Sequence, residues 1–331
     1  MGYDLVSLGE VMLRMSPPRY QRLRQARQLD VHVAGAQLNV AANMARLGWR
    51  TAFISRLPAN ELGLLARDTC QNYGVDMTHV PLVAGARMGV NYLEFTTTPR
   101  VGRTIFDRQG SAASTIAAHD FNWSSILDGA RLAHTDGIFP GLSEGCREAA
   151  QIFLRTAREQ GCITSFDMNY REHLWTTATA RACWQELLPD VTVIVTNRSV
   201  SEAVFEFTGT DADIMARYHD AFGCDVVCLT SREILGVEHG AWQSQALHKG
   251  RIVTGRRYEF DIVDRYGTGD AFVAGLLHGY LQSDKSDVAF ALDFGNAVCA
   301  LAHTIEGDVI QFTAEEVQPL LNETLDLRVK R

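Results

Sequence analysis

The stretch Asp264-Arg265-Tyr266-Gly267-Thr268-Gly269-Asp270, which continues as Ala271-Phe272-Val273-Ala274-Gly275-Leu276-Leu277, predicts a glycine turn that leads into a helix. Because Gly267 and Gly269 have no Cβ, backbone N–H groups can converge on an anion there, and the positive helix end adds to the attraction. Asp270 falls in the first helical turn, where its carboxylate can accept a proton from an attacking hydroxyl, as phosphoryl transfer requires. A tight turn with a helix-capping aspartate is the alternative. The strand character of residues 258–263 and the helical spacing of apolar residues over 272–281 favour the anion site.

Length, composition and charge exclude several classes of protein. With 331 residues, of which 46% are hydrophobic, the chain can bury a large core in one α/β domain or in two smaller ones. The net charge of −8 argues against nucleic acid as a partner, because an extended phosphate-binding surface needs a basic face. The seven cysteines lie mostly in apolar stretches, which is typical of reduced core residues. No leader or membrane-spanning run is recognisable, and a soluble cytoplasmic protein is expected.

Short apolar runs alternate with helical patterns, which indicates βαβ units and a mainly parallel sheet with helices on both faces. The predicted strands cover residues 3–8, 51–54, 130–134, 163–166, 191–195 and 226–229. The predicted helices cover residues 38–47, 62–73, 144–159, 200–207 and 211–222, and the ends of four are predicted by Gly48, Gly74, Gly161 and Gly223. Since no repeat or linker divides the chain, a single domain over residues 1–331 is predicted.

The glycine turn resembles the C-terminal signature of the ribokinase-like (PfkB) carbohydrate kinases, in which two residues separate an aspartate from Gly, a small residue, Gly and Asp. Residues 34–41, AGAQLNVA, followed by Leu47-Gly48, are similar to the family's other signature, a glycine pair that opens a helix. Matches at residues 8–10 and 167–171 extend the similarity over nearly the whole length. The resemblance implies a three-layer α/β/α ribokinase-like fold, with ATP and Mg²⁺ as cofactors.

Two segments, about residues 12–33 and 87–108, contain extended patterns without an intervening helix. In the resembled family, strands at these places form a small projecting β-sheet lid that covers the sugar and often pairs with a second subunit. Because an uncovered small sheet would leave an apolar face in water, a lid that also forms a homodimer or a larger homo-oligomer is favoured. An ordinary antiparallel edge sheet, without motion or partner, is the alternative.

Within the family, the local resemblance is to the 2-keto-3-deoxygluconate kinases. It implies that Arg108, on a lid strand, and Arg171, after a sheet strand, bind the carboxylate of a small-molecule sugar acid, for which a planar guanidinium is suited. A surface ion pair is the alternative for either arginine alone. The implied substrate-binding residues are Gly35, Ala36, Asn39, Asn91, Tyr92, Phe106, Arg108, Arg171 and Asp270.

Two positions depart from those kinases, which carry tyrosines whose hydroxyls meet the substrate. Depending on a one-residue choice of alignment, Asn91 or Tyr92 stands at the first position, and Phe106 stands at the second. Phe106 keeps the ring and loses the hydroxyl donor. Loss of a hydrogen-bond donor relaxes or changes the specificity for the substrate. The sequence therefore predicts the type of reaction without defining which sugar is phosphorylated.

A further departure concerns the nucleotide and its metal. Relatives carry an acid three residues after an asparagine that follows a sheet strand, whereas this chain keeps Asn197 and has Val200 in place of the acid. Glu202 is either a substitute metal ligand or a solvent-facing helix residue, and Asp264 is expected to orient the turn or to hold magnesium through water. The resemblance implies nucleotide contacts by Asn197, Thr230, Arg232, Gly267, Gly269, Asn296 and Gly307.

These features predict transfer of the ATP γ-phosphoryl group to a primary hydroxyl of a sugar acid, with 2-keto-3-deoxygluconate converted to its 6-phosphate. Asp270 takes the proton, while the backbone N–H groups of Gly267, Thr268 and Gly269 stabilise charge on the transferred group. Two alternatives stay open: a kinase of fructose, a nucleoside or a related keto-deoxy acid, and a non-catalytic sugar or nucleotide sensor on the same fold. The intact Asp270 argues against the sensor.

Overall fold

The strands form three β-sheets in the described part of the chain, residues 2–97 and 99–322 of the computed structural model. In chain order the strands are β1 (Leu5–Leu8), β2 (Met12–Ser16), β3 (Asp30–Ala34), β4 (Thr51–Ile54), β5 (Leu57–Pro58), β6 (Val75–Asp76), β7 (Leu82–Val83), β8 (Gly89–Glu94), β9 (Arg103–Asp107), β10 (Leu132–Asp136), β11 (Ile163–Asp167), β12 (Val193–Asn197), β13 (Val226–Ile234), β14 (His239–His248), β15 (Arg251–Thr254) and β16 (Tyr258–Asp261).

The largest sheet has ten strands in the order β15-β14-β13-β12-β11-β10-β1-β4-β6, with β16 also paired to β14. All pairs from β6 to β13 are parallel, which confirms the mainly parallel sheet. Beyond β13 the pairs are antiparallel. The strands β14 and β15 were not predicted, because β14 mixes polar and apolar residues, as is usual for antiparallel strands covered mainly on one side.

Four predicted strands are wrong in their bounds: β10 and β12 each begin and end two residues later than expected, β1 begins two residues later, and β13 continues five residues further, to Ile234. The apolar runs stop before the polar residues Asp136 and Asn197, but backbone pairing continues. Asp136 is paired with Asp167, and Asn197 is paired with Thr230. Polar side chains therefore stand at the carboxyl edge of the sheet while their backbones still belong to it.

The helices connect these strands and cover both faces of the sheet. They are α1 (Ala36–Arg46), α2 (Glu61–Asn72), α3 (Trp123–Ile126), α4 (Glu144–Glu159), α5 (Thr177–Leu187), α6 (Arg198–Val200), α7 (Asp211–Phe222), α8 (Thr268–Gln282), α9 (Val288–Ala302) and α10 (Ala314–Leu321). The predicted helix ends are confirmed by positive φ at the four glycines Gly48, Gly74, Gly161 and Gly223.

The predicted helix over residues 200–207 is wrong in form. The single turn α6 continues as a π-helix over Ser201–Phe205 and ends at Glu206 with φ of 59°. The Ser201 hydroxyl donates to the carbonyl oxygen of Asn197 at 2.9 Å. Such a side-chain bond competes with the backbone pattern of an α-helix.

Neighbouring residues of the parallel strands enter two cores on opposite faces of the sheet. Leu5 of β1 packs with residues of α1, α8 and α9, whereas Val6 packs with residues of α4, α5 and α7. The three-layer α/β/α arrangement is thereby confirmed. All seven cysteines are unpaired and buried, as expected of core residues. Across the described residues, no helix is both long and apolar enough to cross a membrane.

A separate four-stranded sheet, here called the lid sheet, has the order β3-β2-β8-β9. Its strands come from the two predicted lid segments. Strand β2 is antiparallel to β3 and parallel to β8, and β8 is antiparallel to β9. Because β2 follows β1 after only three residues, the lid sheet begins beside the carboxyl edge of the large sheet. The short strands β5 and β7 pair with each other in the third sheet.

Candidate active site

The glycine turn between β16 and α8 is closely packed on one side and open on the other. Gly267 has φ of 72°, and a Cβ on it would lie 2.2 Å from the carbonyl oxygen of Asp308, so both conformation and space require glycine. A Cβ on Gly269 would meet no atom within 4 Å. Since the first N–H groups of a helix have no partner within it, the open space beside Thr268 and Gly269 suits an anion.

Asp270 lies where the first turns of α8 and α1 meet. The Nδ2 atom of Asn39 donates a hydrogen bond to Oδ2 of Asp270 at 2.7 Å. Gly35 precedes Ala36 at the start of α1, and a Cβ on Gly35 would lie 2.1 Å from the carbonyl oxygen of Glu10. Any larger residue at position 35 would therefore push α1 away. The structure thus brings together predicted residues from two distant motifs.

The surroundings of Asp270 favour its protonated form. Burial raises the pKa of the Asp270 carboxyl to about 7. The hydrogen bond from Asn39 and the charge of Arg171 lower this pKa, whereas the charges of Asp136 and Asp308 raise it. A group whose pKa lies near neutrality can both take up a proton and release it.

Two more carboxyl groups, Asp136 and Asp167, end adjacent parallel strands and are register partners. Burial raises the pKa of Asp167 to about 8, and the charges of Asp136 and Asp270 add to this rise. Burial also raises the pKa of Asp136 to about 6. Because like charges close together disfavour ionisation, Asp167 is mainly protonated at pH 7 and can donate a hydrogen bond.

Asp136 connects several elements at the carboxyl edge of the large sheet. Its Oδ1 atom accepts a hydrogen bond from the backbone N–H of Ile138 at 2.8 Å and another from the side-chain amide of Gln37. Its Oδ2 atom accepts from Nδ2 of Asn169 at 3.1 Å. This carboxylate therefore joins α1, the end of β10 and the loop after β11.

The two predicted arginines differ in how far their charges are balanced. The side chain of Arg108 is 8% exposed and forms an ion pair with Glu10, which also accepts a hydrogen bond from Oγ of Ser111 at 2.7 Å. Arg171 is exposed, and its Nη1 atom lies 3.5 Å from the carbonyl oxygen of Tyr170. Among the described residues, Arg108 therefore has an ion-pair partner and Arg171 has none.

The register of the lid sheet separates the two alternatives for the first tyrosine position. Asn91 is paired with Arg14 on β2 and with Phe106 on β9, so these three side chains share one face. Tyr92 is paired with Ile105, which is 57% exposed, on the opposite face. Asn91, and not Tyr92, therefore lies on the face of Phe106. The Oδ1 atom of Asn91 is buried without a hydrogen-bond partner among the described residues.

Phe106 joins the lid sheet to the loop after β11 by stacking on His173. The ring centroids are 4.4 Å apart and the rings are 12° from parallel, while the Arg108 guanidinium lies 5.7 Å from the Phe106 centroid. Burial lowers the pKa of His173, and the charges of Arg108 and Arg171 lower it further. A neutral imidazole is consequently present beside the ring that lacks the phenolic hydroxyl.

The predicted nucleotide residues Asn197, Thr230 and Arg232 follow the carboxyl edge of the large sheet. The Oδ1 atom of Asn197 caps α6, and Thr230 is its register partner on β13. The Nη2 atom of Arg232 lies 3.4 Å from Oγ1 of Thr268, and its guanidinium lies 5.3 Å from the Trp242 ring centroid. Arg232 thus reaches the first turn of α8.

Asn296 and Gly307 occupy different environments. Asn296 is fully buried; its Oδ1 atom accepts from Oγ of Ser244 at 2.7 Å, and its Nδ2 atom donates to the carbonyl oxygen of Arg256 at 2.8 Å. Both polar atoms of its amide are therefore engaged within the protein. Gly307 has φ of 101° and donates its N–H to Oδ2 of Asp264 at 3.1 Å, which ties its loop to the glycine turn.

The two predicted metal ligands are engaged with arginines. Asp264 is 2% exposed, lies 3.0 Å from Arg14 in an ion pair, and accepts hydrogen bonds from two backbone N–H groups of the turn at 2.7 and 3.1 Å. These contacts favour the first of the two expected roles of Asp264, which is to orient the turn. Glu202 is exposed and forms an ion pair with Arg198 at 3.1 Å. Within residues 2–97 and 99–322, no cluster of three or more His, Cys, Asp or Glu side chains could hold a metal ion.

Comparison with known proteins identifies the family, since residues 3–313 match the pfkB family carbohydrate kinase. The chain belongs to the pfkB carbohydrate kinase family. It is 36% identical over 321 residues to the 2-dehydro-3-deoxygalactonokinase of Haloferax volcanii, with 97% of each chain covered. It is 28% identical to the 2-dehydro-3-deoxygluconokinase of Thermoproteus tenax, with 92% of this chain and 90% of that protein covered. The crystal structure of 2-dehydro-3-deoxygluconokinase from Thermotoga maritima matches with a TM-score of 0.92 at 32% identity, covering 97% of this chain and 99% of that one.

Membership of the pfkB family confirms the predicted enzyme class, a carbohydrate kinase with a ribokinase-like fold, and implies the use of ATP. Several residues of this site were nevertheless absent from the predicted set: Glu10, Arg14, Gln37, Asp136, Asp167, His173 and Asp308. For Asp136 and Asp167 a signal existed, because the carboxyl ends of neighbouring parallel strands meet at one edge. For Arg14 and Asp308 no local pattern marks the role, since their partners are distant in the chain.

Proposed function

We propose that this pfkB kinase transfers the γ-phosphoryl group of ATP to the primary hydroxyl of a 2-keto-3-deoxy sugar acid, with 2-keto-3-deoxygluconate converted to its 6-phosphate. The observation that carries the proposal is the position of Arg171, which forms no ion pair among the described residues and whose charge lowers the pKa of the Asp270 carboxyl. A cation and a proton acceptor in one cleft suit a substrate with a carboxylate at one end and a hydroxyl at the other. The names of the relatives support the same class of substrate.

In the proposed reaction, the oxygen of the primary hydroxyl attacks the γ-phosphorus in line, and the bond from that phosphorus to the β,γ-bridging oxygen breaks. The products are ADP and a phosphate monoester. Asp270 takes the hydroxyl proton, while Asn39 holds Oδ2 of its carboxylate. The backbone N–H groups of Gly267, Thr268 and Gly269 stabilise the charge on the transferred phosphoryl oxygens.

The second candidate is a kinase of a neutral sugar such as fructose or a nucleoside. The ion pair between Arg108 and Glu10 favours it, because Glu10 already balances the charge that would attract a substrate carboxylate to Arg108. Sugar hydroxyls would then be the groups that this pair binds. The two candidates differ in what Arg171 recognises.

Magnesium, when bound with ATP, neutralises charge on the phosphate oxygens. Asp264 does not fit the role of a direct ligand, because Arg14 and backbone N–H groups occupy its oxygens. Glu202 is directed to Arg198. We infer that the ion is held mainly by the nucleotide phosphates and by water, as magnesium generally is, while this chain contributes N–H donors.

We also propose a cytoplasmic homodimer formed through the lid sheets. Val31 and Ile105 are 47% and 57% exposed and lie on the face of the lid sheet opposite Asn91. A partner's lid sheet would remove these apolar side chains from water. The seven unpaired cysteines support a reducing compartment.

A coupled assay of ADP formation tests the substrate class, using 2-keto-3-deoxygluconate, 2-keto-3-deoxygalactonate, fructose and a nucleoside. The kcat/KM for a keto-deoxy acid is expected to exceed that for fructose by about 10- to 100-fold, the factor that one charge-assisted contact provides. An Asp270→Asn preparation controls for contaminating kinases. A higher kcat/KM for the galactonate epimer would keep the class and change the preferred acid, whereas a higher value for fructose or the nucleoside would favour the second candidate.

A further inference from the structure

A buried charge cluster joins lid strand β2 to the glycine turn. Arg14 is 1% exposed, and its Nη1 and Nη2 atoms donate to Oδ2 of Asp264 at 3.1 and 3.0 Å. Its Nε atom lies 3.1 Å from Oδ2 of Asp308, which is an ion-pair distance without the alignment of a hydrogen bond. The guanidinium also lies 5.3 Å from the ring centroid of Tyr266. One arginine of the lid sheet therefore contacts three residues around the turn.

Both acids of this cluster contact the glycine turn or the loop packed on it. Asp264 accepts hydrogen bonds from the backbone N–H groups of Arg265 at 2.7 Å, Tyr266 at 3.1 Å and Gly307 at 3.1 Å. The backbone of Asp308 packs so closely on Gly267 that a Cβ there would lie 2.2 Å from the Asp308 carbonyl oxygen. The positions of Asp264 and Asp308 thus determine where the N–H groups of the turn point.

The charge of Arg14 is needed to keep these acids together. Burial raises the pKa of Asp308 to about 6; the charge of Arg14 lowers it and the charge of Asp264 raises it. His32 is the register partner of Arg14 on β3, and burial followed by the charge of Arg14 lowers its pKa, so a neutral His32 adds no positive charge. Without Arg14, two carboxylates would repel each other beside a site for anionic phosphates.

We propose that Arg14 is a positioning residue for phosphoryl transfer, which holds Asp264 and Asp308 in place and thereby couples the lid sheet to the phosphate-binding turn. The proposal rests on the proposed role of the glycine turn and not on the identity of the sugar. Because the guanidinium belongs to β2, displacement of the lid sheet and distortion of the turn are linked. Arg14 acts by positioning the turn and takes no direct part in phosphoryl transfer.

Replacement of Arg14 tests this role. Arg14→Met is expected to lower kcat by about 100-fold, the cost of a small misplacement of reacting groups, with much less effect on the KM for the sugar. Arg14→Lys should recover only part of kcat, because a point charge cannot bridge both acids as the planar fork does. Arg103→Met is the matched control: Arg103 is an exposed lid-sheet arginine on β9 without an ion pair in the described residues, and wild-type kinetics are expected. A folded Arg14→Met enzyme with wild-type kcat would overturn the proposal.

The pH dependence of kcat/KM gives a second test, because a residue that only stabilised the fold would not change it. Arg14→Met leaves Asp264 and Asp308 unbalanced, so the pKa of Asp270 should rise and the acid limb of kcat/KM should move to higher pH. Asp308→Asn removes a negative charge that raises the pKa of Asp270. The acid limb of the kcat/KM profile of this variant should therefore move to lower pH. The other charged groups that set this limb are unchanged in both variants: Asp136, Asp167 and Arg171.

Circular dichroism and thermal unfolding establish whether each variant folds. If Arg14→Met does not fold, Arg14→Lys and Asp308→Asn carry the test, and wild-type kcat with an unmoved acid limb in both would overturn the proposal. All measurements use whichever substrate the wild type phosphorylates in the panel. A wrong sugar assignment therefore leaves this test intact, and failure of Asp270 as the base would be seen separately in Asp270→Asn.

Discussion

Asp270 shows how a single side chain acquires a property that its residue type lacks in water. Its carboxyl lies among Asp136, Asp308 and Arg171, and Asn39 donates to one oxygen. Burial raises its pKa to about 7, so the group is partly protonated at neutral pH. A carboxyl in this state is suited to proton transfer but costs the fold some stability.

Asp270→Asn is expected to keep the fold and substrate binding and to lower kcat by about 10²- to 10⁴-fold, because the amide retains the shape and cannot accept a proton. Steady-state kinetics and isothermal titration with the sugar measure the two effects separately. Near wild-type turnover in this variant would disprove the assignment of the base.

The raised pKa of Asp270 also predicts two pH dependences. The kcat/KM should fall as the pH decreases through about 7, since the protonated carboxyl is no base. Because the pKa in the folded state lies above the ordinary value of 3.8 for an aspartate, ionisation opposes folding, and this destabilisation grows from about pH 4 to pH 7 and is complete above it. Asp270→Asn should therefore unfold at a higher temperature than the wild type at pH 8, with a difference that shrinks toward pH 4. An equal difference at both pH values would contradict the raised pKa.

Arg171→Ala is expected to raise the KM for a sugar acid by about 10- to 100-fold with little change in the KM for ATP, because it removes a charge-assisted contact worth about 1.5 to 3 kcal/mol. Arg171→Lys should recover this loss only in part. The KM for fructose, measured in parallel, should not change. An equal effect of Arg171→Ala on fructose and on the acid would argue against carboxylate recognition.

Arg108→Ala is a less specific variant for comparison. It leaves Glu10 buried without its partner, and loss of one partner of a buried pair costs about 3 to 5 kcal/mol of stability. A fall in unfolding temperature is therefore expected together with the rise in KM. Arg171 is exposed, so Arg171→Ala should change the KM without this loss of stability.

At the scale of elements, the segment after β12 differs from a regular helix. Asn197 caps the single turn α6, and the chain then forms the π-helix Ser201–Phe205. Val200 packs partly against the core, whereas Glu202 faces Arg198 at the surface. Val200, which stands in place of the acid, thus lies close to the carboxyl edge of the sheet. Glu202, the nearest acid along the chain, is paired with Arg198.

Val200→Glu is expected to lower the free magnesium concentration needed for half-maximal rate, because a carboxylate at this position would bind the water shell of the ion. Glu202→Gln should leave this concentration unchanged, since its carboxylate is paired with Arg198. Magnesium titrations at saturating ATP and sugar measure both. If neither Val200→Glu nor Glu202→Gln alters the requirement, the segment takes no part in metal binding.

Across the described structure, the parallel sheet and the lid sheet both contribute residues to the candidate site. The carboxyl edge supplies Asp136, Asp167 and Asn197, while the lid sheet presents Asn91 and Phe106 on one face. The opposite lid face carries exposed apolar residues, including Val31 and Ile105. We propose that the first face contacts the substrate and that the second contacts another subunit.

Ile105→Glu is expected to convert a dimer into a monomer, because it places a charge in the proposed apolar interface. Light scattering after size-exclusion chromatography measures the mass. Ile234→Glu is the control: Ile234 is 72% exposed at the end of β13, outside the lid sheet, and should keep the dimer mass. A monomeric wild type, or an unchanged mass for Ile105→Glu, would contradict the lid-sheet dimer.

Elements with strong local patterns were predictable, and those without such patterns were not. The apolar runs of the parallel strands and the glycines after four helices are local features, and both were confirmed with bounds within two residues for most elements. The strand β14 escaped prediction because its polar residues alternate with apolar ones over ten positions. The π-helix escaped because a hydroxyl-to-carbonyl bond, from Ser201 to Asn197, competes with regular helix geometry.

The family, the α/β architecture, the glycine turn and the position of Asp270 at the start of α8 could all be predicted from the amino-acid sequence, since each depends on patterns of residues close together along the chain. Three contacts could be seen only in the folded chain: Arg14 binds Asp264, 250 residues away, Glu10 balances the charge of Arg108, and Asn91 rather than Tyr92 lies on the face of Phe106. Charge balance and burial depend on distances in space, and the face of a strand depends on its register with neighbours. A linear pattern contains neither quantity.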